Sequence, residues 1–182
     1  MTTLPTAITW REEALTGWGR YPRYSAQSAL FTDRDQRDQL FEAEAPHPLL
    51  AFGLGRSYGD AGLPSAHGGS IRTTALNRVL DFDPSTGWVR CEAGLSIYDL
   101  INIFLPRGFF PPVVPGTQFV TVGGAIANDI HGKNHHVDGT FSDHVRRVEL
   151  LTATGEIVFC DAEERDELFW ATVGGLGLTG LI

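Results

Sequence analysis

Short apolar runs separated by turn residues dominate the chain, and this pattern predicts strands more often than long helices. We expect strands over residues 26–31, 49–52, 70–74, 78–82, 88–92, 145–151 and 156–159. Residues 83–87, Asp-Pro-Ser-Thr-Gly, and residues 152–155, Thr-Ala-Thr-Gly, are typical of the turns that join neighbouring strands. The pattern therefore indicates short sheets rather than a repeated strand–helix–strand unit.

Four segments carry helix signals. Thr32 can cap a helix with its hydroxyl, and that helix would turn Leu40 and Phe41 inward. Ser96 precedes a second helix, whose apolar residues follow the spacing of one helical face. These apolar residues are Ile97, Leu100, Ile101, Phe104 and Leu105. The other two helices are expected over residues 123–127 and 163–173.

Prolines and glycines mark the loops. Residues 109–116 are apolar but contain three prolines, which exclude a helix or a central strand, so we expect an extended loop that can line a pocket. Leu181 and Ile182 follow a glycine-rich stretch and resemble the start of a strand. Because a domain seldom ends at such a point, the chain is interpreted as part of a longer protein.

The charge balance narrows the possible functions. The 182 residues include 14 Lys and Arg against 22 Asp and Glu, and the net charge of -8 opposes binding to nucleic-acid phosphates. No stretch reaches the roughly 20 apolar residues of a membrane-spanning helix, and no basic cluster begins the chain, so we expect a cytoplasmic protein. Cys91 and Cys160 lie in strand-like runs, which favours two buried thiols over a disulfide.

A glycine-rich loop, residues 53–60, is the first candidate binding element. Its sequence, Gly-Leu-Gly-Arg-Ser-Tyr-Gly-Asp, follows an expected strand, where exposed backbone N–H groups can surround an anion and Arg56 and Ser57 can add donors. The dinucleotide-binding fingerprint requires a glycine where Tyr58 stands, so this loop is a poor match to a Rossmann fold. From this loop alone, an anion site and an ordinary surface turn are equally good interpretations.

The second candidate element comprises Pro-Gly-Thr at residues 115–117 and the stretch 121–133. Small residues from Gly123 to Ala127 would let a short helix approach a flat ligand, and its first N–H groups could meet a pyrophosphate. Close packing within the core is the alternative. Because the short chain contains two such glycine-rich elements, ligand binding is favoured over core packing.

Histidines cluster after this stretch, at His131, His135, His136 and His144. Their spacing matches no metal-ligand pattern and the two cysteines lie far away in sequence, so we expect no metal site. We expect His131 and Lys133 to be polar groups beside an anionic or redox-active ligand.

These segments, together with Leu-Phe-Trp-Ala-Thr-Val-Gly-Gly at residues 168–175, resemble the FAD-binding, PCMH-type domain of the vanillyl-alcohol-oxidase superfamily. The likeness covers nearly the whole chain and is most specific over residues 121–136. Within the superfamily it is similar above all to oxidases of polyprenyl-phospho-sugars. The resemblance implies an α+β domain over residues 1–182, made of two small α/β subdomains at about 20–75 and 76–182, with the substrate domain beyond the chain.

The resemblance also implies where FAD lies. The implied cofactor contacts are Gly53, Leu54, Gly55, Arg56, Ser57, Tyr58, Gly59, Gly116, Thr121, Val122, Gly123, Gly124, Asn128, Asp129, Ile130, His131 and Ile182. Tyr58, His131 and Lys133 would lie beside the isoalloxazine ring as the candidate catalytic residues. Members that bind FAD covalently have a histidine where Arg56 stands, and residues 121–136 contain no cysteine, so the expected binding is non-covalent.

The activity implied is oxidation of a CH–OH group of a sugar or polyprenyl-phospho-sugar, in which the flavin accepts the hydride. His131 could assist deprotonation of the hydroxyl, and Lys133 could instead balance charge. A separate nicotinamide-dependent ketoreductase would complete an epimerisation for cell-wall arabinan, at the membrane periphery. The alternatives are an alditol or aldonolactone oxidase and a non-catalytic nucleotide-binding module. The chain alone is expected to be inactive.

Overall fold

A computed structural model describes residues 7–42, 44–65 and 67–182. The first six residues of the predicted domain, and positions 43 and 66, lie outside the described residues. The strands are β1 Arg11–Thr16, β2 Arg23–Leu30, β3 Leu49–Phe52, β4 Gly69–Arg72, β5 Val79–Phe82, β6 Val89–Cys91, β7 Val148–Leu151 and β8 Ile157–Cys160. The α-helices are α1 Ile97–Phe104, α2 Val122–Ala127, α3 His135–Asp138 and α4 Asp166–Thr172, and 3₁₀ helices cover Arg34–Phe41, Leu105–Arg107 and Phe141–His144. This mixture of helices and small sheets confirms the α+β prediction.

The largest sheet has the strand order β1-β2-β4-β3. Strands β2, β4 and β3 run parallel, with Ile71 in register between Ala29 and Ala51, while β1 pairs antiparallel with β2. Sequence analysis missed β1 because only Leu15 of this edge strand is buried, so its pattern does not alternate. The proposed subdomain division at about residue 75 remains a prediction, and β1 precedes its first subdomain.

The predicted helix after β2 is a 3₁₀ helix, and Asp33 rather than Thr32 caps it. The Asp33 carboxylate accepts the N–H of Asp35, while Thr32 donates its hydroxyl to Gln36 Oε1. The expectation for Thr32 is therefore wrong. Adjacent residues of a 3₁₀ helix point about 120° apart, so Leu40 is buried, as predicted, but Phe41 is 40% exposed.

The main core lies in the second half of the chain. Ser96 begins α1 as predicted, because its hydroxyl accepts the N–H of Asp99 at 3.0 Å, in a capping box. The buried face of α1 packs in one cluster with Leu150 of β7 and Phe169 of α4. Leu105 was expected on this face but is exposed, since α1 ends at Phe104 and a 3₁₀ turn follows.

Helix α4 begins later than predicted because the preceding residues form a turn around Asp161. The Asp161 carboxylate accepts hydrogen bonds from the N–H groups of Glu164 and Glu163, at 2.7 and 2.9 Å, and forms an ion pair with Arg147. The Glu164 N–H, then Arg147 and the Glu163 N–H, lower the pKa of Asp161 to about 2. The turn excludes residues 163–165 from the helix.

Both cysteines are free thiols, Cys160 buried and Cys91 half-buried. Burial raises the pKa of Cys91 to about 11, so this thiol is protonated at neutral pH. Across the described ranges, no helix is long and apolar enough to cross a membrane.

Two adjacent aromatic residues of α4 test the packing of the core. Phe169 is 1% exposed and Trp170 is 52% exposed. Replacing Phe169 by Ala should lower the free energy of unfolding by about 3–5 kcal/mol, because it leaves a cavity. The control Trp170→Ala should cost less than about 1 kcal/mol. Urea denaturation followed by circular dichroism measures both, and equal losses would contradict this packing.

Candidate cofactor-binding site

A cleft of about 460 Å³ lies between the loop that follows β3 and the start of α2. The end of the chain, around Gly180 to Ile182, closes a third side. The cleft therefore joins the two glycine-rich segments that the sequence singles out.

Most of the predicted cofactor contacts line this cleft. They are Gly53, Leu54, Gly55, Arg56, Ser57, Tyr58, Gly116, Thr121, Gly123, Gly124, Asn128, Asp129, Ile130, His131 and Ile182. Gly59 and Val122 do not line it, and Val122 packs against the main core instead. Of the catalytic candidates, Tyr58 and His131 line the cleft, whereas Lys133 is exposed outside it.

The two segments touch at Gly53. A Cβ atom on Gly53 would lie 2.5 Å from Thr121 Oγ1, so only glycine permits this approach. Next along the loop, Arg56 Nε donates to the carbonyl of Phe119 at 3.1 Å, and its guanidinium lies over the Trp18 ring, 5.1 Å from the centroid. These contacts fix the loop against the segment that leads into α2.

The loop after β3 offers free backbone donors. Within the part of the chain that the structure describes, the N–H groups from Leu54 to Gly59 donate to no protein oxygen. Gly55 has a φ of +64°, a left-handed conformation that glycine adopts without strain. Successive unpaired N–H groups in such a turn create a local positive potential that binds anions.

The first N–H groups of α2 are, by contrast, already bonded. Val122 donates to the carbonyl of Leu95 at 2.8 Å, Gly123 to that of Ala93 at 2.7 Å, and Gly124 to Thr121 Oγ1 at 3.1 Å. These three N–H groups already have acceptors within the protein, so this structure gives no support to the expectation that they meet a pyrophosphate, which stays a prediction. A Cβ on Gly123 would lie 3.0 Å from Ala93 Cβ, so the small residues here serve close packing, the alternative given above.

His131 and His135 share one backbone acceptor. Their Nδ1 atoms lie 3.3 and 3.1 Å from the carbonyl oxygen of Gly132, and their rings meet edge to face at 5.0 Å. A carbonyl oxygen only accepts, so each Nδ1 carries a proton and Nε2 of neutral His131 keeps its lone pair. Within the described ranges, no three His, Cys, Asp or Glu side chains are grouped as a metal site.

Several cleft residues were missed by the sequence analysis, among them Gly17, Thr73, Ala93 and Leu176. Trp18 N–H donates to the carbonyl of Ser57 at 2.9 Å, and a Cβ on Gly17 would lie 2.6 Å from the same oxygen. Gly17 and Gly19, which flank Trp18, were the sequence signal from which this close backbone contact could have been predicted. Thr73 and Ala93 carry no such signal.

Comparison with known proteins identifies the family of the chain. The sequence model of the FAD binding domain family matches residues 40–161. Decaprenylphosphoryl-beta-D-ribose oxidase of Mycolicibacterium smegmatis is 46% identical over 174 residues, which cover 92% of this chain and 37% of that protein. Cytokinin dehydrogenase 3 of Arabidopsis thaliana is 29% identical over 181 residues, 94% of this chain and 34% of that protein.

A third relative, D-2-hydroxyglutarate dehydrogenase of Escherichia coli, is 40% identical over 85 residues, 46% of this chain and 8% of that protein. The chain thus spans little more than a third of the length of the first of these relatives. Because the family match covers most of the chain, including both glycine-rich segments, the chain belongs to the FAD binding domain family of the vanillyl-alcohol-oxidase superfamily.

Proposed function

We propose that the cleft holds FAD without a covalent bond, and that the chain is the FAD-binding part of an oxidoreductase acting on a CH–OH group of a sugar or polyprenyl-phospho-sugar. The observation that carries the proposal is the run of free N–H groups from Leu54 to Tyr58 along one wall of the cleft. The relative from Mycolicibacterium smegmatis, which by its name oxidises a polyprenyl-phospho-ribose, supports the substrate class.

The cleft fits a diphosphate-bearing cofactor. The loop N–H groups can donate to pyrophosphate oxygens, and Arg56 adds positive charge because only its Nε is used by Phe119. Gly123 and Gly124 line the facing wall of the cleft. Residues of both proposed subdomains, about 20–75 and 76–182, would thus contact one ligand.

The proposed chemistry divides between cofactor and protein. Bound FAD would supply the hydride acceptor. His131 would accept the proton of the substrate hydroxyl at Nε2, since its Nδ1 proton is directed to the carbonyl of Gly132. Tyr58 is 79% exposed at the cleft and would contact the substrate side. Lys133 would act only through its charge, because it does not line the cleft.

The partners and the location of the protein would follow from its substrate. A keto-sugar product would need a separate nicotinamide-dependent ketoreductase to complete an epimerisation. A polyprenyl substrate would draw the protein to the membrane surface. An alditol or aldonolactone substrate, and a nucleotide-binding role without catalysis, are outcomes that the experiments below distinguish.

The contact at Gly53 gives a direct test of the cleft. Replacing Gly53 by Ala places a methyl group 2.5 Å from Thr121 Oγ1 and should separate the two walls. We expect the affinity for FAD to fall by about tenfold or more. The control Gly19→Ala meets only Tyr21 O, at 4.0 Å, and should bind FAD as the parent does. Flavin fluorescence quenching measures both, and no flavin binding by the parent chain would contradict the proposal.

The mode of attachment has its own test. Arg56 stands where covalent members of the superfamily have a histidine, and no cysteine lies between residues 121 and 136. Acid precipitation of the flavin-loaded chain should therefore leave the yellow chromophore in the supernatant. A yellow pellet after washing would show a covalent bond.

A chimera tests the substrate class. In the chimera this chain replaces the matching 174-residue segment of the Mycolicibacterium smegmatis oxidase. Anaerobic mixing with a decaprenyl-phospho-sugar should bleach the flavin of the chimera but not that of the isolated chain. His131→Gln in the chimera should slow bleaching by about 10²-fold or more without loss of flavin. If an alditol or aldonolactone bleaches the flavin and the decaprenyl-phospho-sugar does not, the substrate class is the former and not a polyprenyl-phospho-sugar.

A further inference from the structure

A second groove, of about 530 Å³, lies against the cofactor cleft. Gly17, Phe52, Leu54, Gly55 and Arg56 line both spaces, so the glycine-rich loop is their common wall. We call this second groove the arginine groove, because its lining includes Arg20, Arg56 and Arg72 together with Trp18 and Glu13. Neither Arg20 nor Arg72 lines the cofactor cleft.

Positive charge is concentrated in the arginine groove although the chain as a whole carries a net charge of -8. Its three guanidinium groups face one carboxylate, that of Glu13, which pairs with Arg72 Nη1 at 2.7 Å. The guanidinium of Arg20 has no hydrogen-bond or ion-pair partner among the residues that the structure describes. Arg56 also lines the cofactor cleft, so Arg20 and Arg72 are the two arginines that line the groove alone, against the one carboxylate of Glu13.

Two local features concern the arginines that line only this groove. Arg72 Nε is buried and has no hydrogen-bond partner within the described ranges. The Arg72 side chain as a whole is 39% exposed, so its remaining terminal N–H groups are accessible from the groove. Arg20 has a φ of +58°, a strained conformation for a non-glycine residue, and its N–H donates to the carbonyl of Gly17 at 3.0 Å. That turn fixes Arg20 at the groove.

We propose that the arginine groove binds a phosphorylated small molecule, a phosphate monoester or diphosphate, separately from the flavin. Guanidinium groups match phosphate oxygens with paired hydrogen bonds. A phosphate monoester carries a charge of about -2 near neutral pH, so it attracts the groove guanidinium groups more strongly than a single carboxylate does. Trp18 is 53% exposed and offers an aromatic surface beside the phosphate site. The proposal does not depend on the identity of the flavin substrate.

Isothermal titration of the 182-residue chain with inorganic pyrophosphate, in the presence of excess FAD, tests the proposal. We expect one site per chain, and Arg20→Gln and Arg72→Gln should each weaken binding by about tenfold. The control Arg37→Gln removes an equal charge from an exposed pair with Asp38 and should change nothing. If Arg72→Gln fails to fold, Arg20→Gln still decides, since the Arg20 side chain has no partner to lose among the described residues.

Glu13→Gln supplies a variant with the opposite expected sign. It removes the one carboxylate of the groove and releases Arg72, so pyrophosphate should bind several-fold more tightly. Equal affinities for the parent chain and the Arg20 and Arg72 variants would overturn the proposal. Displacement of pyrophosphate by FAD would also overturn it, because the pyrophosphate would then have bound the loop N–H groups of the cofactor cleft rather than the groove. Either failure leaves the FAD cleft untouched, because Arg20 and Arg72 lie outside its lining.

Discussion

The close approach of Gly53 to Thr121 is the constraint on which the site depends. With no side chain on Gly53, the loop after β3 reaches the residue that caps α2, and the bond from Arg56 to the carbonyl of Phe119 holds the two together. The sheet that carries the loop and the core that carries α2 thus share one cleft. A larger residue at position 53 would separate the walls and remove the binding surface.

The two glycine-rich segments do different work within that cleft. At the start of α2 the backbone donors are bonded to Leu95 and Ala93, so glycine there allows close packing. In the loop after β3 the donors are free, so they are available to bind an anion. One set of free N–H groups therefore faces a wall of small residues. This arrangement suits an elongated ligand that carries its negative charge near the centre.

Local sequence signals predicted the elements whose stability is local. The apolar run of β3 and the Ser96 cap of α1 are of this kind, and glycine density located both cleft segments. Strand β1 was missed because an edge strand with exposed side chains needs no apolar alternation. The bonds of the Val122 and Gly123 N–H groups could not be predicted, since their acceptors, the carbonyls of Leu95 and Ala93, lie far earlier in the chain and are brought near only by the fold.

The central claim is that FAD phosphates accept hydrogen bonds from the loop after β3 and not from the start of α2. Amide proton chemical shifts of the ¹⁵N-labelled chain, recorded with and without FAD, test it most directly. The account predicts downfield shifts for the N–H groups from Leu54 to Gly59 and none for those from Val122 to Gly124. Downfield shifts confined to the α2 donors, with the loop unchanged, would contradict it.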